Sequence, residues 1–550
     1  MMEGRPLVRN GKTILSSVDP VRRAERVADA VPISDKTLYV CPSPVYGYGL
    51  EKLLSRLAAE APNSALLCVE ADPELYEIAR NNIDPHLLES ARLLLTNVCE
   101  NGKLCAFVRK TWGSRAFRRV ETVRLTGGWQ LYPGLYDSLC EALRREIASE
   151  WGNALTLAKL GRLYIRNALR NLALLPRRQS VASLSYGDTP VLVLGAGPSM
   201  DETLDALGGR FGEDCKEPAK RGFRIICADT CLPALRDRDI TPDLAVILES
   251  QHWNLRDFIG CRGWKVPFAA DLSALPESQE ILSGEGFLFF TPWTPLRIFE
   301  RLKAASLLPA LVPPLGSVGL SAVEIARRLT GGAIICAGLD FSFSLDKYHA
   351  RSTPGHKEKL AAQTRFHGLF NMGAYGPYAF SALSKSGCPV RSNPGLENYR
   401  NVFEEEFSGG TRMFDIAGSG LPLGLKTLSL EDALPLLAAP LNHGEEHGKK
   451  KKTVSAETVF SFLNDEKKRL LYIRDILTGS ATAQESRLGA LIGECDYLWA
   501  HFPDYSGGLR PDVSCAALKS PSALSFLKRL RAEIDPALAL IERVMNECGQ

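Results

Sequence analysis

One stretch restricts the fold more than any other: PVLVLGAGPSMDETLDAL, residues 190–207. Its apolar beginning predicts a buried strand, its glycines predict a sharp turn, and the residues after the turn follow a helical pattern. The unpaired N–H groups and the positive dipole end at the start of such a helix suit a phosphate. We therefore predict that Gly195, Gly197, Pro198 and Ser199 bind a nucleotide. A turn that only joins strand to helix is the alternative, because the stretch matches neither the P-loop nor the dinucleotide motif.

Strand and helix patterns alternate across residues 188–437. Four further apolar runs lack the polar alternation of a half-exposed sheet: FRIICAD, DLAVILES, GFLFF and AIICAGLDF. Such runs are typical of a parallel sheet that is covered by helices on both faces. The predicted fold class is therefore α/β, with a central, doubly wound, mostly parallel sheet.

The regions on either side of this central one differ from it in pattern. In chain order we predict an N-terminal Rossmann-like α/β domain (1–150), a connector helix (151–187), the central nucleotide-binding α/β domain (188–437), a charged linker (438–455) and a C-terminal helical domain (456–550). Glu70 ends a predicted strand of the first domain, where Rossmann-like folds bind a ribose. The loop after the preceding strand has no tight glycine turn, so we expect a scaffold or acceptor-binding domain there.

Composition excludes several classes of function. The net charge of +3 in 550 residues provides no concentrated basic surface for nucleic acid. No run of about 18 apolar residues occurs, so we expect no membrane span. The 14 cysteines include no CxxC pair and many lie in apolar runs, which favours reduced thiols in a cytoplasmic protein and no zinc site.

Further polar residues and glycines follow predicted strands or precede predicted helices. They are Asp229, Thr230, Glu249, Gly316, Ser317, Asp340 and His349. Because ligands of parallel sheets bind beyond the carboxyl ends of the strands, we expect one cleft to gather these side chains.

The ordered series GAGPS, ADT, PDLAVILES, GSVGLSAVEIA, GLDF and YHA resembles the motility accessory factor family. It is also similar to a wider group named after 6-hydroxymethylpterin diphosphokinase. Bacterial sialyltransferases share a GxGPS loop and an SGxD strand end. The resemblance covers about residues 188–430 and implies a sialyltransferase-like sheet. It implies transfer of an acidic nine-carbon sugar from a CMP-activated donor to Ser or Thr of flagellin.

This resemblance also implies roles for particular residues. The glycine loop with Asp229, Thr230 and Glu249 would hold the nucleotide. Gly316 and Ser317 would stabilise the departing phosphate. His349 would take the proton of the acceptor hydroxyl, since histidine titrates near neutral pH, and Asp340 would join it as a catalytic residue. No cofactor and no metal are expected for this reaction.

Two alternatives remain open at this point. In the first, the cleft transfers pyrophosphate from ATP to a pterin alcohol, with Mg²⁺ held by Asp229 and Asp340. In the second, the chain is a non-catalytic flagellar assembly factor. Ala196 and Asp415 depart from the sialyltransferase pattern and keep this second alternative open.

Overall fold

The computed structural model describes residues 7–15, 18–113, 116–344, 347–366, 368, 375–438, 454–479, 485–502 and 521–548. Most of the predicted linker, 438–455, therefore lies outside the described residues. The chain forms two compact units: Met1–Gly161 with Trp499–Leu518, and Arg162–Leu498 with Lys519–Gln550. The five-segment division made from the sequence stays a prediction.

The first unit contains a four-stranded parallel sheet with helices around it. Its strands are β1 (Leu7–Arg9), β2 (Lys12–Leu15), β3 (Thr37–Pro42), β4 (Ala65–Val69), β5 (Leu93–Thr96) and β6 (Arg119–Thr122). Its helices are α1 (Pro20–Ala30), α2 (Leu50–Glu60), α3 (Pro73–Asn82), α4 (Pro85–Leu88) and α5 (Asn101–Trp112). The sheet order is β5-β4-β3-β6, while β1 and β2 pair separately as an antiparallel hairpin. Every pairing within the sheet is parallel, as in half of a Rossmann fold.

Protein side chains fill the ribose position of this Rossmann-like sheet. Glu70 follows β4 and is fully buried. Its Oε2 accepts a hydrogen bond from Ser43 Oγ at 2.6 Å, and its Oε1 accepts from the Asp72 amide at 3.1 Å and Tyr136 Oη at 3.3 Å. Burial raises the pKa of Glu70. The carboxyl group of Glu70 is therefore already satisfied by protein donors.

A single long helix, α6 (Pro133–Leu172), follows the first sheet. The boundary between the two units, at residues 161 and 162, falls within it. The predicted connector helix, 151–187, coincides with α6 only in part. The observed helix begins earlier because buried Leu139, Leu143 and Ile147 already recur at the four-residue spacing of a helix face.

The second unit contains a larger, ten-stranded sheet and a separate two-stranded antiparallel hairpin. Its strands are β7 (Gln179–Ser180), β8 (Val191–Leu194), β9 (Arg224–Ala228), β10 (Leu244–Ile247), β11 (Phe268–Asp271), β12 (Gly286–Phe290), β13 (Ala310–Leu311), β14 (Ile334–Ala337), β15 (Phe380–Leu383), β16 (Pro389–Ser392), β17 (Met413–Ile416) and β18 (Lys426–Leu428). Its helices after α6 are α7 (Met200–Phe211), α8 (Leu232–Arg236), α9 (Arg297–Ala304), α10 (Val318–Leu329), α11 (Pro354–Ala361), α12 (Pro394–Phe407), α13 (Leu430–Leu437), α14 (Ala456–Leu477), α15 (Glu485–Glu494) and α16 (Pro521–Cys548).

The topology of this sheet confirms the predicted α/β class. Nine strands follow the order β13-β12-β11-β10-β9-β8-β14-β17-β18, and β7 pairs with β12. Every pairing in the sheet is parallel. From β8 the chain moves outward through β9 to β13, then returns through α10 to β14 on the other side. The strand order therefore reverses between β8 and β14, where open α/β sheets bind their ligands.

Apolar strands form the core of this unit. The residues of β8, β10 and β14 are all buried, and α10 packs against β8, β9, β10 and β14. Along α10, Leu320, Val323 and Ile325 are almost fully buried. Each such side chain contributes about 1.5–3 kcal/mol relative to an exposed one. The burial of these strands on both faces explains why they lack polar alternation.

Two asparagines of α6 fix the loops at the carboxyl edge of the sheet. Asn167 Nδ2 donates to the carbonyl oxygens of Ser250 and Ser273, at 2.9 and 3.2 Å. Asn171 Nδ2 donates in the same way to the carbonyls of Leu272 and Ala274, at 2.8 and 2.9 Å. These carbonyls belong to the loops after β10 and β11. The amide groups therefore replace water as hydrogen-bond partners of buried backbone.

The C-terminal helices belong to the same compact unit as the large sheet. α14 and α16 pack against each other. Glu466 on α14 is fully buried and accepts two hydrogen bonds of 2.8 Å from Arg301 on α9. Tyr497 also donates to this carboxylate, at 3.0 Å. In the part of the chain that the structure describes, no helix is long and apolar enough to cross a membrane.

Candidate functional site

The glycine loop after β8 lies against the residues that follow β14. The Gly195 amide donates to the Ala337 carbonyl and the Gly197 amide to the Gly338 carbonyl, each at 2.8 Å. A Cβ atom on Gly197 would lie 2.6 Å from both Asp340 Oδ2 and the Gly338 oxygen. The close approach of two neighbouring loops therefore requires glycine here, whether or not a ligand is bound.

Asp340 lies at the N-terminus of α7. Its Oδ2 accepts a hydrogen bond from the Ser199 amide at 2.7 Å, and its Oδ1 accepts from Ser199 Oγ at 2.5 Å. The Asp340 side chain is buried, at 2% exposure. Its negative charge suits the positive end of the helix dipole. The carboxylate thus takes one of the amides that the sequence predicted for a phosphate.

The start of α10 is a second helix N-terminus at the strand reversal. Gly316 has a φ of +75°, which only glycine adopts readily. Ser317 is the N-cap residue, yet its side chain makes no capping hydrogen bond in the described structure. The Leu339 side chain lies between the two helix starts. Its Cδ2 atom is 2.6 Å from the position that a Cβ atom would take on Gly195, before α7, and 2.7 Å from that position on Gly319, at the start of α10. The predicted phosphate residues therefore lie beside the glycine loop.

Asp229 and Thr230 follow β9 and form an acidic group with Asp257. Asp229 Oδ1 accepts from the Thr230 amide at 2.9 Å, and Thr230 Oγ1 donates to Asp257 Oδ2 at 3.2 Å. Burial, reinforced by the charge of Asp257, raises the pKa of Asp229 to about 7. Burial also raises the pKa of Asp257 to about 6. Near neutral pH this group therefore carries less negative charge than its two carboxyls suggest.

Glu249 follows β10 at the same edge of the sheet. Its side chain accepts from the amides of Ser250 and Gln251, at 2.8 and 2.9 Å. Burial and the charge of Glu249 raise the pKa of Tyr164, on α6, to about 12. The ring of Trp293 lies 4.9 Å from that of Tyr164. Glu249 therefore borders an aromatic pair at the edge of the site.

His349 is held beside the glycine loop by its neighbour. The Ala350 amide donates to the Ala196 carbonyl at 2.9 Å. Burial, and then the charges of Lys359 and Arg256, lower the pKa of His349 to about 4. The imidazole is therefore neutral at pH 7, which corrects the expectation that it titrates near neutrality.

Asp201 fixes the segment around His349 to α7. Its carboxylate lies 3.2 Å from Lys347 Nζ, 3.3 Å from Arg351 Nε and 3.2 Å from Arg238 Nη2. Burial alone would raise the pKa of Asp201, but hydrogen bonds from Arg351 and Lys347 lower it. These ion pairs hold residues 347–351, the histidine segment, on the first turn of α7.

A surface pocket of about 490 Å³ lies next to this segment, at the base of the β15–β16 hairpin. Its lining residues are Gly376, Pro377, Tyr378, Ala379, Asn393, Pro394 and Gly395. The Asn393 side chain hydrogen-bonds Tyr348, whose ring centroid lies 4.8 Å from that of His349. The pocket therefore borders the histidine segment.

The structure groups the predicted site residues in three parts along one sheet edge. The first part combines the glycine loop with Asp340 and, through Ala350, His349. The second is Gly316 with Ser317, and the third is Asp229, Thr230 and Glu249.

The sequence analysis missed Asp257, Tyr164, Tyr399 and Lys385. Tyr399 lies against Gly316, 3.1 Å from the position that a Cβ atom would take. Long-range packing brings these four residues to the edge, so no local motif marks them.

The fold defines a doubly wound α/β protein whose candidate site lies where the strand order reverses. Residues 166–346 match the family of 6-hydroxymethylpterin diphosphokinase MptE-like proteins. A Treponema pallidum (strain Nichols) protein described only as uncharacterized is 28% identical over 544 residues, which cover 94% of this chain and 90% of that protein.

A solved structure has a similar fold. The MAf glycosyltransferase from Magnetospirillum magneticum AMB-1 matches 99% of this chain and 85% of its own, with a TM-score of 0.51 and 14% identity. At this identity the likeness shows the fold alone. The family match supports the predicted resemblance to MptE-like proteins over residues 166–346, and the shared fold agrees with the resemblance to motility accessory factors.

Proposed function

We propose that the chain is a glycosyltransferase that moves an acidic nine-carbon sugar from a CMP-activated donor to Ser or Thr of flagellin. The observation that carries this proposal is the uncapped start of α10 at the strand reversal, beside the glycine loop. The match to MptE-like proteins and the fold shared with a MAf glycosyltransferase support it. A cytoplasmic location belongs to the same proposal, since flagellin and nucleotide sugars would meet there.

The phosphate of the donor would bind at Ser317 and the first amides of α10. Asp340 occupies the equivalent position on α7, whereas the Ser317 hydroxyl makes no capping bond in the described structure. The helix dipole and a free hydroxyl both stabilise negative charge as the sugar leaves. His349 would accept the proton of the acceptor hydroxyl in its neutral form, and the pocket next to Tyr348 gives the acceptor room to approach.

The position of Asp340 favours sugar transfer over pyrophosphoryl transfer. The alternative assigns Mg²⁺ to Asp229 and Asp340. Asp340 already accepts two hydrogen bonds from Ser199. Asp340 is therefore poorly placed to hold a divalent cation in this conformation.

Thermal stabilisation by nucleotides tests the proposal. Purified full-length chain is heated with CMP, with CMP and EDTA, and with ATP and Mg²⁺. We expect CMP to raise Tm with or without EDTA, and Ser317→Ala to weaken CMP about tenfold, or about 1.4 kcal/mol. Ser408→Ala, an exposed serine after α12, is the matched control.

Two results would contradict this proposal in different ways. Stabilisation by ATP that requires Mg²⁺, without an effect of CMP, would favour pyrophosphoryl transfer. A chain that binds CMP but transfers no sugar to flagellin from the same organism would favour the non-catalytic assembly factor. Transfer itself is measured by the mass increase of intact flagellin.

A further inference from the structure

A tyrosine that lies in none of the sequence motifs contacts the start of α10. A Cβ atom on Gly316 would be 3.1 Å from Cε1 of Tyr399 and 3.8 Å from its Cδ1. The phenol hydroxyl is attached to the carbon next to Cε1, so this group lies close to Gly316 as well. Gly316 precedes Ser317, the N-cap residue of α10. The Tyr399 ring therefore borders the place proposed for the donor phosphate.

Helix α12 presents Tyr399 on its buried face. Phe403 and Phe407 follow Tyr399 at intervals of four residues and are 0% and 3% exposed. Residues four positions apart share one face of a helix. The ring centroid of Phe403 lies 6.4 Å from that of Phe341, the residue directly after Asp340. Tyr399 therefore lies on the face of α12 that packs against the carboxyl edge of the sheet.

Tyr399 is also a neighbour of two other parts of the site. Burial raises the pKa of Tyr348, beside His349, and the nearby Tyr399 raises it further. Burial also raises the pKa of Tyr164, and first Glu249 and then Tyr399 add to this effect. The histidine segment, the start of α10 and the aromatic pair beside Glu249 therefore share Tyr399 as a neighbour.

Two hydroxyl groups at this place have no partner within the described part of the chain. The Tyr399 hydroxyl makes no hydrogen bond to a described residue, and the Ser317 hydroxyl makes no capping bond. Both residues are partly exposed, so a ligand can reach them. The Ser321 amide donates to the Ser317 carbonyl at 3.0 Å, so the amides of residues 318–320 precede the first hydrogen bond within the helix. An anion with several acceptor oxygens can satisfy such a group of donors.

We propose that Tyr399 is a phosphate-binding residue whose hydroxyl donates a hydrogen bond to an oxygen of the donor phosphate at the start of α10. This inference rests on the proposed function, because that function puts a nucleotide phosphate at Ser317. Tyr399 and Ser317 would supply neutral donors for the negative charge, as oxyanion-binding groups do. Since Tyr348 is a neighbour of the same ring, the phosphate would lie beside the histidine segment.

Calorimetric titration of the full-length chain with CMP and with cytidine tests this role. Tyr399→Phe removes the hydroxyl and keeps the packed ring. We expect CMP to bind at least about tenfold more weakly, the effect of losing one hydrogen bond to a charged acceptor. Cytidine, which has no phosphate, should bind as it does to wild type. Tyr132→Phe removes the hydroxyl of an exposed tyrosine in the first unit and should leave both affinities unchanged.

The comparison of the two ligands separates contact with the phosphate from a general change in the site. Equal CMP affinity in Tyr399→Phe and wild type, or an equal loss for CMP and cytidine, would overturn the inference. If wild type binds ATP with Mg²⁺ and not CMP, the proposed donor is wrong, and ATP and adenosine replace the first pair of ligands. A loss for ATP alone then supports the role of Tyr399, and no loss overturns it. A wild type that binds neither nucleotide overturns both proposals.

Discussion

The Ser199 amide lies 2.7 Å from Oδ2 of Asp340, and the Ser199 hydroxyl lies 2.5 Å from its Oδ1. The two residues are 141 positions apart in the chain. They belong to the loops that follow β8 and β14, the strands between which the sheet order reverses. One buried carboxylate therefore sets the conformation of the glycine loop.

Asp340→Asn should destabilise the protein by about 1–3 kcal/mol, the cost of weakening hydrogen bonds to a buried charged acceptor. It should also weaken nucleotide binding through the altered loop, with or without Mg²⁺. Urea unfolding and nucleotide titration check both effects. Asp205→Asn, an exposed carboxylate on α7, is the control and should change unfolding by less than about 0.5 kcal/mol. Equal stability of the Asp340→Asn variant and wild type would contradict the capping role.

Gly197→Ala should lower the free energy of unfolding by about 1–3 kcal/mol, because its Cβ atom would lie 2.6 Å from Asp340 Oδ2 and from the Gly338 carbonyl. Gly209→Ala tests the same change on α7, where a Cβ atom meets nothing within 4 Å. That variant should gain about 0.5–1 kcal/mol, since alanine favours a helix interior. Thermal unfolding of both variants gives the comparison. A stable Gly197→Ala variant would mean that the two loops have room to separate.

Asp229→Asn should be more stable than wild type at pH 8. The folded pKa of Asp229 is raised to about 7, so its ionisation opposes folding as pH rises above the unfolded value near 4. The penalty is complete above pH 7 and absent below about pH 4. Urea unfolding of the variant and wild type at pH 4, 6 and 8 should therefore show a difference that grows with pH. A difference that is constant across this range would exclude ionisation of Asp229 as its cause.

His349 should titrate far below ordinary histidines. Burial and two nearby cations lower its pKa to about 4. Proton NMR of the imidazole signals, with His349→Gln to assign the resonance, should give a midpoint near that value. The folded pKa is below the unfolded one of about 6.5, so stability from this group is lost as pH falls between the two. A midpoint near 6.5 would place the ring in water.

Glu466→Gln should destabilise the second unit by about 3 kcal/mol, because it leaves Arg301 buried without a matching charge. Asp465→Asn changes an exposed carboxylate on the same helix and serves as control. Guanidinium unfolding measures both variants. If Glu466→Gln matches the control, α14 does not depend on this pair for its place in the unit. The result also bears on the predicted C-terminal domain 456–550, because a domain that folds alone should tolerate the loss.

The pattern of apolar residues and glycines along the chain was enough to predict the strand, turn and helix around the glycine loop. A short apolar run that is followed by glycines favours a buried strand that ends in a turn. The β8, loop and α7 succession follows this rule, and so does β14, which is followed by Gly338. The equally short apolar runs of β9, β10 and β12 also form strands, although no glycine follows them directly. The order of motifs along the chain was enough for the α/β class. Gly316, which the sequence places before a predicted helix, lies directly before the N-cap residue of α10 and has a φ of +75°.

Tertiary structure decided what those residues contact. The catalytic role of Asp340 stays a prediction, and its hydrogen bonds to Ser199 arise because β8 and β14, distant in the chain, pair side by side. Lys385 and Asp415 are 30 positions apart and form a buried pair that no spacing predicts. The pKa of His349 depends first on its burial and then on Lys359 and Arg256, which α11 and a separate turn bring near it. Charge, burial and hydrogen-bond partners are properties of three-dimensional neighbours, so the sequence fixes the strands and turns but not the chemistry of the side chains that meet at their ends.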